Sequence, residues 1–314
     1  MTNFQQTLST ITDYIKADIF PGASLALYDG QDWQEHYLGT QDGNHPVVPG
    51  LTYDLASVSK VVGVGTLCLF YLQEGKVDLD EKLSTYYPAV ADKTLTLRQL
   101  LSHSSGIDPF IPNRDALDQE GLIAAINAIK VKADKPFLYT DINFILLGLM
   151  LEKVSGQTLD KLFDSEIFQP FGMSETQFGP VEVAIPTVKD IPGGTVHDPK
   201  ARVLKEHTGS AGLFSTLKDL EIFVNHYLTD DFAKNMTQNI SQSNKERSVA
   251  WDLQGEWILH TGYTGTFVLI NIPAQRAAIF LSNRTYYKDE RAQWIKDRDA
   301  LIEIMKKELV YSDK

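Results

Sequence analysis

A chain of 314 residues, 43% apolar, 22% charged and 10% aromatic, has an ordinary globular composition, long enough for one large domain or two interleaved ones. Its net charge of −12 argues against a nucleic-acid partner, because phosphate binding needs a basic surface. A single cysteine, Cys68, excludes an internal disulfide and reads as a small core hydrophobe. No apolar run approaches the roughly 20 residues needed to span a bilayer.

The first residues, Met1 to Gln6, carry neither the basic region nor the apolar core of a secretory signal, so the expected location is cytoplasmic unless a leader has been removed. Phe4, Leu8, Ile11, Ile15 and Ile19 recur at helical spacing and predict an opening amphipathic helix stopped by Pro21-Gly22. Residues 23–28 and 33–38 then read as two strands joined by a turn. After a polar connection, 41–50, comes an apolar helical run, 61–72, then a turn and short helix over 75–83. A helix over 97–101 is capped by Thr96, and further helices are expected at 115–130, 140–155 and 158–167. Residues 175–215 hold four prolines and five glycines with little periodicity, as loops around a site often do. A helix over 216–227 follows. Alternation then predicts three antiparallel strands at 256–260, 266–272 and 277–283, and a closing helix at 290–310.

Strands at both ends with helices between predict a discontinuous α/β (α+β) layout. Residues 1–52 and 205–314 form an antiparallel sheet flanked by helices, and 53–204 a mostly helical lobe, with the site in the cleft between them.

The stretch leading into the apolar helix, Tyr53-Asp54-Leu55-Ala56-Ser57-Val58-Ser59-Lys60, carries the sharpest chemical signal. Positions i and i+3 share a helical face, so Ser57 and Lys60 point the same way. A desolvated lysine can take the proton that makes a serine hydroxyl nucleophilic, although S-x-x-K also arises by chance at ordinary helix starts. Three other segments are candidates for partners. Tyr139, just before a helix N-terminus, is placed to shuttle a proton, or is a flanking aromatic beside an N-cap at Thr140 or Asp141. His260-Thr261-Gly262-Tyr263-Thr264-Gly265, between two strands, offers edge N–H groups for an oxyanion, or is a hairpin turn. His103, in Ser102-His103-Ser104-Ser105-Gly106, reads as part of a helix-ending turn rather than a catalytic base. The seven histidines are dispersed, and no phosphate-binding glycine loop occurs, so no metal or cofactor is expected.

In this order the motifs resemble the serine β-lactamases and penicillin-binding proteins, and within them the branch of class C β-lactamases, related DD-peptidases and esterases. Ser57-Val58-Ser59-Lys60 matches the family's S-x-x-K, Tyr139-Thr140-Asp141 its Tyr-x-Asn, and His260-Thr261-Gly262 its Lys-Thr-Gly. Accessory likenesses are residues 97–106, 146–156, 197–199 and 211–216, and the whole covers about 20–285. The resemblance implies a β-lactamase-like fold. It implies Ser57 as the acylated nucleophile, Lys60 as its proton acceptor or electrostatic activator, and Tyr139 as a sharer of general-base work. The oxyanion hole would be the backbone N–H groups of Ser57 and Tyr263, with Asp141, His260, Thr261 and Gly262 binding substrate.

Two positions depart from the family pattern. An ionised Asp141 only accepts hydrogen bonds where asparagine would donate, and it can pair with Lys60, raising that lysine's pKa. Histidine at 260 removes a permanent cation. Both changes point to a small-molecule ester or amide rather than an anionic β-lactam or D-alanyl peptide. The expected activity is therefore carboxylesterase-type hydrolysis through an acyl-serine. Weak β-lactamase or D-alanyl-D-alanine carboxypeptidase action is one alternative, and a catalytically impaired binding or scaffold protein the other.

Overall fold

The computed structural model describes residues 4–311. Among the described residues there are nine strands: β1 (Gly22–Tyr28), β2 (Trp33–Gly39), β3 (Thr52–Asp54), β4 (Gln177–Phe178), β5 (Leu213–Thr216), β6 (Asp252–Gln254), β7 (Trp257–Thr261), β8 (Phe267–Asn271) and β9 (Arg276–Ser282). Six of them make one antiparallel sheet in the order β2-β1-β9-β8-β7-β6. The two ends of the chain meet at its centre, where Leu25 on β1 lies opposite Phe280 on β9.

Side chains alternate across this sheet, as a strand's period of two requires. Phe267, Leu269, Ala278 and Phe280 pack on one face with the helices Gln5–Lys16 and Arg291–Tyr311. Val268, Ile270, Ala277, Ile279 and Leu281 join the opposite core, which runs unbroken into the helical middle through Val61, Leu67, Phe144 and Leu147. Ile258 belongs to this second face, so His260, two residues on, also faces the helical side. Burial on both faces explains the near-continuous apolar character of β8 and β9.

Several elements differ from the sequence reading. The first helix ends at Lys16, before Pro21, because Asp18 turns the chain at φ +53°. The helix expected over 115–130 is Gln119–Asn127, started by Asp118, whose side chain accepts from Gly121 N–H. Strand β6 and a small sheet, β3-β5-β4, were not foreseen, since strands of two to four residues are too short to show alternation. The stretch 175–215 also holds a helix, Pro199–Leu204.

The helix carrying the serine motif is irregular. It runs as a 3-10 turn over Ala56–Val58, a π turn over Val61–Gly65 and an α-helix over Thr66–Gln73. Thr66 Oγ1 donates to Val61 O at 2.7 Å, closing the π turn with a side chain. By length and hydropathy Ala56–Gln73 has the makings of a membrane span, but 78% of it is buried inside the protein, so it is a core helix. Residues 97–101, 141–155, 217–229 and 291–311 are helical close to the limits expected.

Phe280 stacks on Phe267 at 4.9 Å and meets Phe20 edge-on at 5.5 Å, tying both chain ends to the sheet. Phe280→Ala is expected to lower stability by about 3–5 kcal/mol in urea unfolding. A loss below about 1 kcal/mol would show that this cluster does not hold the termini.

Candidate active site

The turn that presents Ser57 is built from β3 outward. Ala56 sits at φ +46°, a left-handed conformation costing an alanine about 1 kcal/mol or more. It is held there by Asp54, whose buried carboxylate accepts from Ala56 N–H and from His197 N–H, both at 2.7 Å. Burial pushes the Asp54 carboxyl up to about 6, against the pull of those two N–H groups, and Asp198 nearby adds to the rise. The β7–β8 hairpin locks the same turn from the other side. Thr264 Oγ1 donates to Asp54 O and Thr266 Oγ1 to Leu55 O, each at 3.0 Å. Only glycine fits at 262, because a Cβ there would lie 2.6 Å from Leu55 O and 2.1 Å from Thr266 Oγ1. The hairpin closes through Gly262 N–H and Gly265 N–H, not through that of Tyr263.

Lys60 is fully buried, and its Nζ donates to Ser57 Oγ, Asp141 Oδ1 and the Ser210 carbonyl, each at 2.8 Å. Three acceptors match the three N–H bonds of an ammonium. Burial alone would lower the lysine's pKa, but Asp141 and Tyr139 outweigh it and hold the ammonium above its ordinary range. Asp141 opens the helix Asp141–Ser155, whose N-cap Thr140 accepts from Ile142 N–H. Its second oxygen lies 3.0 Å from Lys200 Nζ, which is also 3.2 Å from Asp198 Oδ2. Burial would raise the Asp141 carboxyl, yet Lys60 and Lys200 together keep it well below the usual carboxylate range.

Tyr139 is 39% exposed, with the Lys60 ammonium 5.2 Å from its ring centroid. Its other side rests on His103, ring centroids 4.4 Å apart. His103 is itself buried at φ +54°, with Asn143 Nδ2 donating to its Nδ1 at 2.9 Å. Burial, with Arg247 and Lys60 nearby, drops its pKa far below the usual value, so it is neutral. The expectation that His103 is structural therefore agrees with its place, and its ring acts as a backing plate for Tyr139.

His260 is buried behind Tyr139, ring centroids 6.4 Å apart, and neither ring nitrogen has a partner among the described residues. Burial first, then Lys60 and Arg247, hold it neutral. It borders a second cavity of about 450 Å³ shared with Tyr139, Arg247, Thr261 and Arg298. The main cavity, about 830 Å³, brings together Ser57, Tyr139, Asp141, Thr261, Gly262 and Tyr263. Seven of the eight expected site residues thus meet around one opening or, for Lys60, directly beneath it. His260 instead faces the smaller chamber.

Four participants escaped the sequence reading. Ser210 acts through its backbone, which no side-chain pattern announces. Lys200 and Arg247 reach the site from segments far away in sequence, whereas Asp54, three residues before Ser57, shows its part only through the turn it holds. The dipeptide His197-Asp198 was noted only as an accessory likeness, although Asp198 caps the helix that carries Lys200.

A cavity-lining serine hydroxyl, bonded to a buried lysine with a tyrosine alongside, is the equipment of a serine hydrolase that works through an acyl-enzyme. The Beta-lactamase family model matches residues 9–302, and the chain belongs to that family of serine hydrolases. A curated relative from Escherichia coli (strain K12), "Putative D-alanyl-D-alanine carboxypeptidase", is 26% identical over 303 residues, covering 76% of this chain and 70% of its own length. Among solved structures, "EstCE1, a hydrolase with promiscuous acyltransferase activity" superposes with a TM-score of 0.76 at 19% identity, over 95% of this chain and 97% of its own. A class C β-lactamase from Rhodobacter sphaeroides gives 0.71 at 19%, over 94% and 99%. These structures share the β-lactamase-like fold expected from the sequence.

The raised pKa of Asp54 has a defined sign. Its unfolded carboxyl ionises near the ordinary value while the folded one resists until about 6, so wild-type stability falls relative to Asp54→Asn as pH rises from about 4 to about 6. The difference should change by on the order of 3 kcal/mol across that window, on top of a constant offset from the lost His197 bond. Thermal or urea unfolding of both proteins at several pH values reads it, and a flat difference would place Asp54 outside the buried-carboxylate account.

Proposed function

We propose that the protein is a carboxylesterase-type serine hydrolase acting on uncharged esters or small amides. The observation carrying this reading is the set of three 2.8 Å bonds from the buried Lys60 ammonium, one of them to Ser57 Oγ in the floor of the cavity. A fully engaged ammonium has no lone pair to offer, so Lys60 orients and electrostatically activates Ser57, and Tyr139 takes the proton. Ser57 Oγ attacks the acyl carbonyl, its proton passes to Tyr139, and the carbonyl oxygen becomes an oxyanion held by the N–H groups of Ser57 and Tyr263. Collapse breaks the bond to the leaving alcohol or amine, which takes the proton from Tyr139. Water then adds to the acyl-serine, giving its proton to Tyr139, and Ser57 leaves with that proton as the acid is released. Thr261 and Gly262 line the path along β7 on which substrate docks.

The acceptor-only Asp141 and the neutral His260 support the preference for uncharged substrates. A second reading, D-alanyl-D-alanine carboxypeptidase or weak β-lactamase, is favoured by one observation. Buried Arg247 and half-buried Arg298 border the chamber next to Thr261, offering a cation for a substrate carboxylate where His260 does not. The relative's description points the same way.

Fluorophosphonate and fluorescent penicillin separate the readings. Labelling of Ser57 by the first alone, mapped by peptide mass, is the expected result, and labelling by both moves the assignment to the carboxypeptidase or β-lactamase. Labelling by neither would leave a scaffold protein. Ser57→Ala should abolish both labelling and ester turnover while keeping the fold.

The pH profile offers an independent check. Both histidines at the site are held neutral far below their usual range, so neither supplies a limb near pH 6–7. The Lys60 ammonium, held above its ordinary range, stays charged throughout, and a phenol accepts the serine proton only once ionised, so kcat/KM for a neutral ester should climb from about pH 7 to 9 without a plateau. A bell centred near neutrality would assign the base to a histidine instead.

A further inference from the structure

Asp141 and its neighbours form a cluster whose charges cancel. Two ammonium groups, Lys60 and Lys200, and two carboxylates, Asp141 and Asp198, alternate along a chain of contacts of 2.8, 3.0 and 3.2 Å. Lys200 is only 13% exposed, and Asp141 and Asp198 are 23% and 20% exposed. Charges this deep are costly unless paired. Each Asp141 oxygen serves a different lysine, Oδ1 taking Lys60 and Oδ2 taking Lys200. Asp198 is committed as well, with Oδ1 accepting from Ala201 N–H at 2.8 Å while Oδ2 faces Lys200. Without Lys200 the remaining three charges would sum to −1, and the whole carboxylate of Asp141 would turn on Lys60.

We propose that Lys200 is a positioning residue of this active site, sharing the Asp141 carboxylate with Lys60 and thereby limiting how tightly Asp141 holds the lysine beside the nucleophile. The inference rests on the hydrolase reading given above, and it accounts for how the chain functions with an aspartate in the place of the family's asparagine. The other titratable groups that feel the charge of Asp141 are His103 and His260, both neutral, and Tyr139 stands beside Lys60. Among the described residues, only Lys200 contacts Asp141 as a second cation. It also fastens the wall formed by His197, Asp198 and Pro199 to the helix that begins at Asp141. Burial works against the Lys200 ammonium, but Asp141 and Asp198 outweigh it and keep it protonated.

The test is a cycle of Lys200→Met, Asp141→Asn and the double variant, with Lys200→Arg as the charge-conserving control. In urea unfolding, Asp141→Asn alone leaves the Lys60 and Lys200 ammoniums without the carboxylate between them, so the double variant should be more stable than Asp141→Asn. Additive stabilities would overturn the shared carboxylate, and this arm needs no substrate. In the second arm the rate of fluorophosphonate labelling at Ser57 is followed against pH. Lys200→Met should label about tenfold more slowly at pH 7, with its profile displaced to higher pH as for one unit of pKa on the activating pair. Lys200→Arg should stay near wild type, and Asp141→Asn/Lys200→Met should recover most of the rate. A Lys200→Met loss that Asp141→Asn does not rescue would mean that Lys200 merely pins the wall, overturning the proposal. If wild type fails to label at Ser57 while the stability cycle is non-additive, the hydrolase reading falls but the shared carboxylate stands.

Discussion

A buried ammonium is the constraint on which the site depends. Lys60 has no contact with solvent, and an unpaired charge there would cost several kcal/mol. Its three partners come from three places in the chain: Ser57 on the same helical turn, Asp141 at the start of another helix, and the Ser210 carbonyl just before β5. Satisfying one cation therefore fixes the mutual position of the nucleophile turn, the helical lobe and the small sheet. The need to pair Lys60 and the need to orient Ser57 are met by the same three bonds.

Ser57 also depends on strain held in place by its surroundings. Ala56 adopts a left-handed conformation unfavourable for an alanine, and the bonds from Asp54, Thr264 and Thr266 hold the turn there. The two threonine bonds cross from the serine turn to the β7–β8 hairpin, so the six-stranded sheet helps set the geometry of the nucleophile. The main core runs through both without a break, which stiffens the cleft against opening. Gly262 is required where the two approach most closely.

Long-period features were legible in the sequence, and contacts across it were not. The strands around residues 258, 270 and 280 and the helix after Thr140 announce themselves by alternation, helical spacing and a capping residue. Ser57, Lys60 and Tyr139 stand out in the sequence because residue chemistry and order travel together, and the fold brings the three side by side. Lys200 and Arg247 carry no local signature. A lysine after Asp198-Pro199 looks like an ordinary first-turn residue, and its role exists only because the fold brings Asp141 within 3.0 Å. The backbone of Ser210 is invisible for a simpler reason, that a carbonyl has no residue code.

The same limitation bears on position 260. From sequence alone, histidine at the start of His260-Thr261-Gly262 removes the cation that would meet a carboxylate. In the fold that histidine lies on the buried face of β7, the face of Ile258, and shares its chamber with the guanidinium of Arg247. Arg247 donates to the Ala250 carbonyl at 2.9 Å and sits 3.5 Å from Asp252, leaving its Nε buried without a partner among the described residues. A guanidinium stays charged where an imidazole does not, so the loss of charge at 260 is offset within the same chamber. The proposed preference for a neutral substrate therefore rests on Asp141 more than on His260. Asp141 can present an amide-like donor to substrate only through the lysine it holds, and the ammonium of Lys200, bordering the main cavity beside it, has one N–H beyond the two that its carboxylates take.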